Sequence, residues 1–406
     1  MPKCAHTCSN FTVNPACMRK FLRTLVLFLL AFGCCGTVHA QYKLLLVIDS
    51  VPVQTPYDSI YVAGNINGWN PGSEQFRSIP GPDGPLTNLL KGPAGTLSFK
   101  FTRGSWGSVE TGADGSDIGN RDIVVHGDTT VHVSIRGWKD RFAATPKKHT
   151  ALSQVRVLTD SFAMQQLGRQ RRIWVYLPKD YTQGNRHYPV LYMHDGQNLF
   201  DEASAGFGEW GVDEALDSLE RTYGGIIVVG IDHGGDKRLN EYCPYDMERF
   251  GKGEGKAYTD FLVHTLKPYI DASFRTRRDR ANTWVAGSSM GGLISLYAHL
   301  RYPGVFGASG VFSPAFWIAP GLQTDLLRHG SGLRGKVFFY AGDAESETMV
   351  PDMLKVFQLL HQLSKAQMET VVRAGAKHSE SAWRKEFPGF IKFLMKKEPK
   401  TFGPRF

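Results

Sequence analysis

The spacing of apolar and polar residues divides the chain into two regions of different character. Residues 42–140 contain short runs in which apolar and polar residues alternate, which is the pattern of half-buried β-strands. The predicted strands are 43–49, 59–63, 96–103, 122–126 and 130–135. No stretch of helical spacing separates them, so the pattern predicts an all-β, immunoglobulin-like sandwich.

From residue 155 the pattern changes to near-continuous apolar runs that alternate with stretches of helical spacing. Runs of strand length lie at 189–193, 225–231, 283–286, 308–312, 336–341 and 369–373. Helix-like stretches lie at 212–222, 255–270, 291–301, 351–364 and 383–396. Strands that are apolar throughout are typical of a mainly parallel sheet covered by helices on both faces. We therefore expect an α/β domain at 155–397, joined to the sandwich (41–140) by a polar linker (141–154) and followed by a tail (398–406).

The first 40 residues have the pattern of a secretory signal peptide. Three basic side chains follow Met18, an unbroken apolar run occupies 25–32, and a small residue ends the segment. The run is too short for an integral membrane span, which needs about 20 residues. We expect residues 1–40 to be removed on export to the periplasm or the outside, with translation starting at Met1 or Met18. A lipid-anchored form that uses Cys34 is the alternative.

Charge and cysteine usage narrow the classes of partner. The chain of 406 residues carries a formal charge of +9. Part of this excess lies in the signal segment and part in a lysine-rich C-terminal end, and no nucleic-acid-binding motif accompanies it, so we expect no nucleic-acid partner.

Five of the six cysteines lie in the first 40 residues, which leaves Cys243. The mature chain therefore forms no internal disulfide, and we expect no cysteine-rich metal site.

A candidate nucleophile lies between a predicted strand and a predicted helix. Residues 287–291 read Gly-Ser-Ser-Met-Gly, a G-x-S-x-G turn. A serine hydroxyl is a weak nucleophile, so it must project from a sharp turn where a base can reach it. The two glycines let strand and helix pass closely, and the helix N-terminus offers N–H groups to a developing oxyanion. The pattern predicts Ser289 as the nucleophile, against a merely structural glycine turn.

The base and the acid are expected later in the chain, since folds with this turn use the order Ser, acid, His. Of the histidines, His378 follows the last predicted strand, whereas the others precede Ser289 or lie in helical stretches or a glycine-rich turn. The strand 336–341 is followed by Asp343 and Glu345. Either carboxylate could orient the imidazole and stabilise its charged form, or be a loop charge only.

The remaining part of such a site is the oxyanion hole. In this type of fold one N–H comes from the residue after the nucleophile and another from the loop after an earlier strand. The strand 189–193 ends in the turn 194–198. We therefore expect the backbone N–H groups of Gln197 and Met290 to be the donors, although the turn could have no catalytic role.

Four separated motifs resemble a known family. They are HDGQNLFD (194–201), GEWGVDEALD (208–217), VVGIDHGGDKRLNEY (228–242) and GSSMGGLIS (287–295). They are similar to the esterases related to esterase D, which include feruloyl, acetyl xylan and siderophore esterases and mycolyltransferases. The resemblance covers about 155–396 and implies an α/β-hydrolase fold without metal or organic cofactor. That family has G-x-x-E or G-x-x-D after the acid-bearing strand, which favours Glu345 over Asp343.

The first region resembles starch- and glycogen-binding modules. The similar segments are YVAGNINGWNP (61–71) and LSFKFTRGSW (97–106). Aromatic faces stack on the apolar faces of sugar rings, which makes Trp69, Trp106 and Trp138 the candidates for sugar binding. A spacer that shapes the esterase cleft is the alternative.

Together these patterns predict an exported serine carboxylic-ester hydrolase that forms an acyl-enzyme. The expected substrate is an ester carried by a carbohydrate or a siderophore. An acyltransferase with the same triad and a non-catalytic carbohydrate-binding protein are the alternatives. Because the whole triad follows the linker, residues from about 150 to 406 are expected to hydrolyse small esters without the first region.

Overall fold

The computed structural model describes residues 41–396 except 54–59, 83, 93, 143–146, 249 and 320. The predicted signal peptide and the predicted C-terminal tail lie outside the described residues. Within the described part of the chain, no helix is long and apolar enough to cross a membrane.

The first region is a sandwich of short strands. They are β1 (Tyr42–Ser50), β2 (Tyr61–Gly64), β3 (Ile79–Pro80), β4 (Leu86–Gly92), β5 (Gly95–Thr102), β6 (Glu110–Thr111), β7 (Arg121–Val125), β8 (Thr129–Ser134) and β9 (Gly137–Trp138). One sheet has the order β3-β4-β1-β8 and another the order β2-β5-β7, while β6 pairs with β9. Leu46 of the first sheet and Phe99 of the second lie in one hydrophobic core, which confirms the predicted β-rich fold.

Trp138 belongs to that core. Its side chain is fully buried among the apolar residues of the sandwich. A ring without an accessible face cannot stack on a sugar, so the expectation for Trp138 was wrong. Trp69 and Trp106 are half-buried and keep accessible surface.

The second region contains one eight-stranded sheet. Its strands are β10 (Val155–Met164), β11 (Arg169–Tyr176), β12 (Val190–His194), β13 (Ile227–Ile231), β14 (Thr283–Ser288), β15 (Ala308–Phe312), β16 (Lys336–Gly342) and β17 (Gln367–Arg373). The order is β10-β11-β13-β12-β14-β15-β16-β17, and the strands from β12 to β17 are parallel. The predicted parallel sheet is therefore present. Its two antiparallel strands, β10 and β11, were not predicted: charged residues break up the apolar residues of β10, and the arginines at the start of β11 leave it only the short apolar run 173–176.

Helices cover both faces of this sheet. They are α1 (Val212–Tyr223), α2 (Arg238–Tyr242), α3 (Gly255–Phe261), α4 (Lys267–Ser273), α5 (Met290–Arg301), α6 (Leu322–His329), α7 (Met349–Leu363) and α8 (Glu380–Met395). Val285 of β14 packs in one hydrophobic core with Leu293 of α5, while its neighbour Trp284 packs in another with Phe387 of α8. Successive side chains of a strand point to opposite faces, so the central strands β12 and β14 are buried on both faces along their whole length.

The predicted linker is bound to the second region through a group of acidic side chains. Thr150 donates its N–H to Asp201 Oδ1 (3.1 Å) and its hydroxyl to Glu209 Oε2 (2.7 Å). The Leu152 N–H donates to Asp213 Oδ2 at 2.8 Å. All three carboxylates are buried, and we call Asp201, Glu209 and Asp213 the carboxylate clasp. Because buried carboxylates need hydrogen-bond partners, the linker residues contribute to the stability of the second region.

Candidate active site

Ser289 occupies a strained turn between β14 and α5. Its backbone has φ +57° and ψ −120°, a conformation that a residue with a side chain rarely adopts. A Cβ at Gly287 would lie 2.9 Å from the carbonyl carbon of Gly291, so the close passage of strand and helix requires glycine. The Ser289 N–H donates to the Phe312 carbonyl at 2.9 Å, which fixes the turn against β15. The serine side chain is thereby presented at the carboxyl end of the central strand.

Glu345 and His378 are in direct contact. His378 Nδ1 lies 2.7 Å from Glu345 Oε2. The other carboxylate oxygen, Oε1, accepts hydrogen bonds from the Gly342 N–H and the Ser313 hydroxyl, both at 2.6 Å. The Glu345 side chain is 1% exposed and that of His378 is 37% exposed. With Nδ1 donating to the fixed carboxylate, Nε2 is the imidazole nitrogen that can accept a proton.

Asp343, the other carboxylate after β16, is directed elsewhere. Its Oδ1 accepts the Gly375 N–H at 2.7 Å, in the turn that follows β17. Asp343 is exposed, and its recorded hydrogen bond stabilises that turn. Of the two carboxylates that the sequence left open, Glu345 is the one that contacts His378.

Ser313 connects the nucleophile turn to the acid, and sequence reasoning missed it. Its hydroxyl donates to Glu345 and accepts a hydrogen bond from Trp383 Nε1 at 2.8 Å. Two residues later, the Ala315 N–H donates to the Ser289 carbonyl at 3.1 Å. Since β14, β15 and β16 are neighbours, the segments that follow them meet at one edge of the sheet. A polar residue directly after the predicted strand 308–312 was the available signal.

The two predicted oxyanion donors lie after neighbouring strands. Gln197 is in the single turn that follows β12, and the hydrogen bonds of that turn run from Asn198 N to Asp195 O and from Leu199 N to Gly196 O. Met290 is the first residue of α5, so no carbonyl of a preceding helical turn accepts its N–H. β12 pairs with β14, which brings both N–H groups to the edge that carries Ser289.

An ion pair between the buried Asp195 and the half-buried Arg238 lies next to the nucleophile turn. Arg238 donates from Nε and Nη2 to the two oxygens of Asp195 at 2.7 and 2.8 Å. A Cβ at Gly291 would lie 3.5 Å from Asp195 Oδ2, which shows how near the pair is to the start of α5. Burial alone would raise the pKa of Asp195, but the Arg238 charge holds it below its usual value. The pair fixes the turn that carries Gln197 and was not predicted from the sequence.

His194, at the end of β12, is a buried neutral imidazole. Its Nδ1 lies 2.9 Å from the Tyr258 hydroxyl. Burial lowers the pKa of His194 to about 4, so the ring is uncharged at neutral pH. Its role is therefore packing below the site, and it does not compete with His378 as the base.

Glu380 joins the histidine loop to the oxyanion loop. It is the first residue of α8, and Asn198 Nδ2 donates to its Oε1 at 3.3 Å. Burial raises the pKa of Glu380 to about 7, and the nearby Asp195 charge acts in the same direction while Arg238 opposes it. At neutral pH this carboxyl group is close to half protonated.

We expect replacement of Glu380 by glutamine to make stability less dependent on pH. A raised pKa means that the folded state holds the proton more tightly than the unfolded state does. The stabilisation from this proton is therefore fully present below about pH 4.5 and is lost as the pH rises through about 7. Glu380→Gln keeps an acceptor for Asn198 and cannot ionise. The free energy of unfolding is measured in urea at pH 5 and at pH 8.5. Between these pH values it should fall by about 1–3 kcal/mol more in the wild type than in the variant. An equal difference at both pH values would contradict the assignment.

Among the residues that the structure describes, no cluster of three or more His, Cys, Asp or Glu side chains could hold a metal ion.

The arrangement of Ser289, His378, Glu345 and two backbone donors can support nucleophilic attack on a carbonyl and proton transfer.

A family model described as "Putative esterase" matches residues 164–394, which is more than half of the chain. Among curated proteins, "Uncharacterized protein YbbA" of Bacillus subtilis is 28% identical over 248 residues, covering 57% of this chain and 95% of that protein. The endo-1,4-beta-xylanase/feruloyl esterase of Xylanibacter ruminicola is 29% identical over 163 residues, covering 38% of this chain and 21% of that protein.

An alpha-amylase of Niallia circulans is 39% identical over 95 residues, covering 23% of this chain and 7% of that protein. The chain thus spans only a small part of the two relatives with named activities. Among solved structures, the BES protein from Bacillus cereus matches with a TM-score of 0.52 at 20% identity, covering 62% of this chain and 99% of that one. This likeness supports the fold of the second region.

Proposed function

Because the chain belongs to the Putative esterase family and is a carboxylic ester hydrolase, we propose that it acts through a triad of Ser289, His378 and Glu345. The observation that carries this proposal is the 2.7 Å contact between His378 Nδ1 and the buried Glu345 carboxylate, which hydrogen bonds of Ser313 and Ala315 connect to the strained Ser289 turn. A histidine held in one tautomer by a fixed carboxylate is what a serine nucleophile needs as its base.

In the first half of the reaction, Ser289 Oγ attacks the ester carbonyl carbon while His378 Nε2 takes the hydroxyl proton. The backbone N–H groups of Gln197 and Met290 stabilise the negative charge that develops on the carbonyl oxygen. The carbon–oxygen bond to the alcohol then breaks, and His378 gives its proton to the departing alcohol.

In the second half, His378 takes a proton from a water molecule that attacks the acyl-enzyme carbonyl. Collapse of this intermediate breaks the bond to Ser289, which recovers its proton from His378, and the carboxylic acid is released. Glu345 orients the imidazole and stabilises the imidazolium that forms in each half.

The substrate we propose is an ester carried by an oligosaccharide or polysaccharide. The support comes from a relative named as a xylanase and feruloyl esterase, and from the stretch that is 39% identical to part of an alpha-amylase. Trp69 and Trp106 keep accessible aromatic surface in the first region, which fits sugar binding. The first 40 residues predict export to the periplasm or the outside, and we place the substrate there.

The proposed function is tested with the full-length chain and a fluorophosphonate probe. We expect the probe to attach to Ser289, located by peptide mass mapping, and to abolish hydrolysis of acetyl and feruloyl esters of xylo-oligosaccharides. An ester-linked siderophore is the comparison substrate, and its preferential hydrolysis would overturn the carbohydrate assignment. Transfer of the acyl group to added sugar in preference to water would identify an acyltransferase. Failure to label Ser289 would contradict the triad.

A further inference from the structure

Two loops of the second region reach the first region at the edge of the sheet that carries the candidate active site. One loop follows β12 and contains Phe207, and the other lies between α2 and α3 and contains Phe250. Both belong to segments that leave the sheet at carboxyl ends of parallel strands, as the Ser289 turn does. Both segments therefore leave the sheet at the edge that carries the nucleophile.

Three aromatic rings form a continuous group across the two regions, which we call the aromatic bridge. The centroids of Trp69 and Trp106 are 6.3 Å apart, and those of Trp106 and Phe207 are 6.1 Å apart. The first two rings belong to the sandwich and the third to the loop after β12. Phe207 is 66% exposed. The bridge thus offers aromatic surface to solvent.

The loop that carries Phe207 is bound to the oxyanion turn. The Ser204 hydroxyl donates to the Gln197 carbonyl at 2.7 Å, and the Gly206 N–H donates to Asn198 Oδ1 at 3.0 Å. On its other side, a Cβ at Gly208 would lie 4.0 Å from the Cβ of Glu380, two residues after His378. Phe207 is therefore held between the turn with the oxyanion donor and the loop with the base.

A second contact fixes the position of the sandwich tip. A Cβ at Gly68 would lie 2.5 Å from Phe250 Cε1, so the phenylalanine ring packs directly against this glycine. Gly68 also has φ +63°, so a side chain there would be strained as well as crowded. Asn240 of α2 donates to the Phe250 carbonyl at 2.9 Å, which holds the loop. The turn that carries Trp69 is thus seated on the second region, and its orientation relative to Ser289 is fixed.

We propose that the aromatic bridge of Trp69, Trp106 and Phe207 is a subsite that binds a sugar ring of the alcohol part of the ester. Stacking on exposed aromatic faces suits the C–H faces of a pyranose, whose hydroxyl groups remain in water. A small acyl group needs an enclosed pocket, whereas an oligosaccharide can lie along an open surface beside the reacting carbonyl. The first region then takes part in the catalytic step with oligosaccharide esters and is more than a remote anchor.

This inference rests on the proposed function, and its test separates the two. Methyl and xylo-oligosaccharide esters of the same acyl group, acetyl or feruloyl, are compared with the full-length wild type, Phe207→Ala and Trp106→Ala. We expect each variant to lower the ratio of kcat/KM for the oligosaccharide ester to kcat/KM for the methyl ester by about tenfold. Leu327→Ala removes another exposed apolar side chain, on α6, and should leave the ratio unchanged.

Each of the other possible results of this comparison would contradict a different part of the proposal. An unchanged ratio in both bridge variants would overturn the subsite. A loss confined to feruloyl esters, equal for methyl and oligosaccharide alcohols, would mean that the bridge holds an aromatic acyl group and would also overturn it. A wild type that hydrolyses methyl esters but not oligosaccharide esters would overturn it while leaving the triad intact. Hydrolysis of none of the esters would contradict the proposed function itself. Phe207→Ala changes an exposed side chain, so it should fold even if Trp106→Ala does not.

Discussion

Replacing Ser289 by alanine is expected to lower kcat for p-nitrophenyl acetate hydrolysis about 10⁴-fold or more. The loss is large because the other hydroxyl of the turn, that of Ser288, is buried and is not expected to form the acyl-enzyme. The oxyanion donors and His378 would remain and give only residual catalysis over water. The kcat of the variant is obtained from steady-state rates, measured at enzyme concentrations high enough to detect the residual turnover.

The neighbouring Ser288 supplies a matched control. It is the last residue of β14 and is buried, whereas Ser289 is half-buried and carries the strained backbone. Ser288→Ala also removes a serine hydroxyl from the G-x-S-x-G motif. It should keep kcat within about threefold of wild type, because the buried Ser288 cannot reach a substrate. A large loss in Ser288→Ala with retained activity in Ser289→Ala would exchange the two assignments and disprove ours.

Replacing Glu345 by glutamine is expected to lower kcat/KM about 10³–10⁴-fold. The amide is nearly the same size, but its NH₂ group facing Nδ1 would favour the tautomer in which Nε2 carries the proton and cannot accept one from Ser289. The amide also removes the charge that stabilises the imidazolium. The measurement is kcat/KM for a small ester across pH, together with a thermal melt to verify that the variant is folded.

Asp343→Asn is the corresponding control, since Asp343 is the other carboxylate after β16 and bonds to the Gly375 N–H instead of to His378. Asparagine can accept the same hydrogen bond, so activity should stay within about threefold of wild type. If Asp343→Asn were the inactive variant and Glu345→Gln the active one, the triad acid would be Asp343.

The local patterns of the sequence were sufficient for the elements that present the nucleophile. The G-x-S-x-G turn, the apolar strand before it and the helix after it are encoded within residues 283–301, so their geometry follows from short-range constraints. The central parallel strands could be predicted for the same reason, because burial on both faces favours uninterrupted apolar runs. β10 lies at the edge of the sheet, where polar and charged side chains reach water, and the arginines at the start of β11 leave it only the short apolar run 173–176.

Contacts between distant segments could not be predicted from local patterns. The residues after β16 left both Asp343 and Glu345 open, and the family resemblance favoured Glu345; the turns after β16 and β17 are what bring Glu345 into contact with His378. Ser313 and Arg238 act through partners 32 and 43 residues away, which no short motif specifies. Phe207 gave no signal either, because its exposure depends on where the sandwich is seated.

The carboxylate clasp affects where the chain can be divided when its second region is fused to a different N-terminal module. A recombination crossover placed at the compositional break near residue 141 would transfer the second region together with Thr150 and Leu152. A crossover at Val155, where the sheet begins, would keep the Ala203 N–H on Asp201 and the Arg384 guanidinium on Glu209, but it would remove the Thr150 and Leu152 donors from all three carboxylates. We therefore expect a new N-terminal module to cost least stability when it is joined to a chain that keeps Thr150 and Leu152.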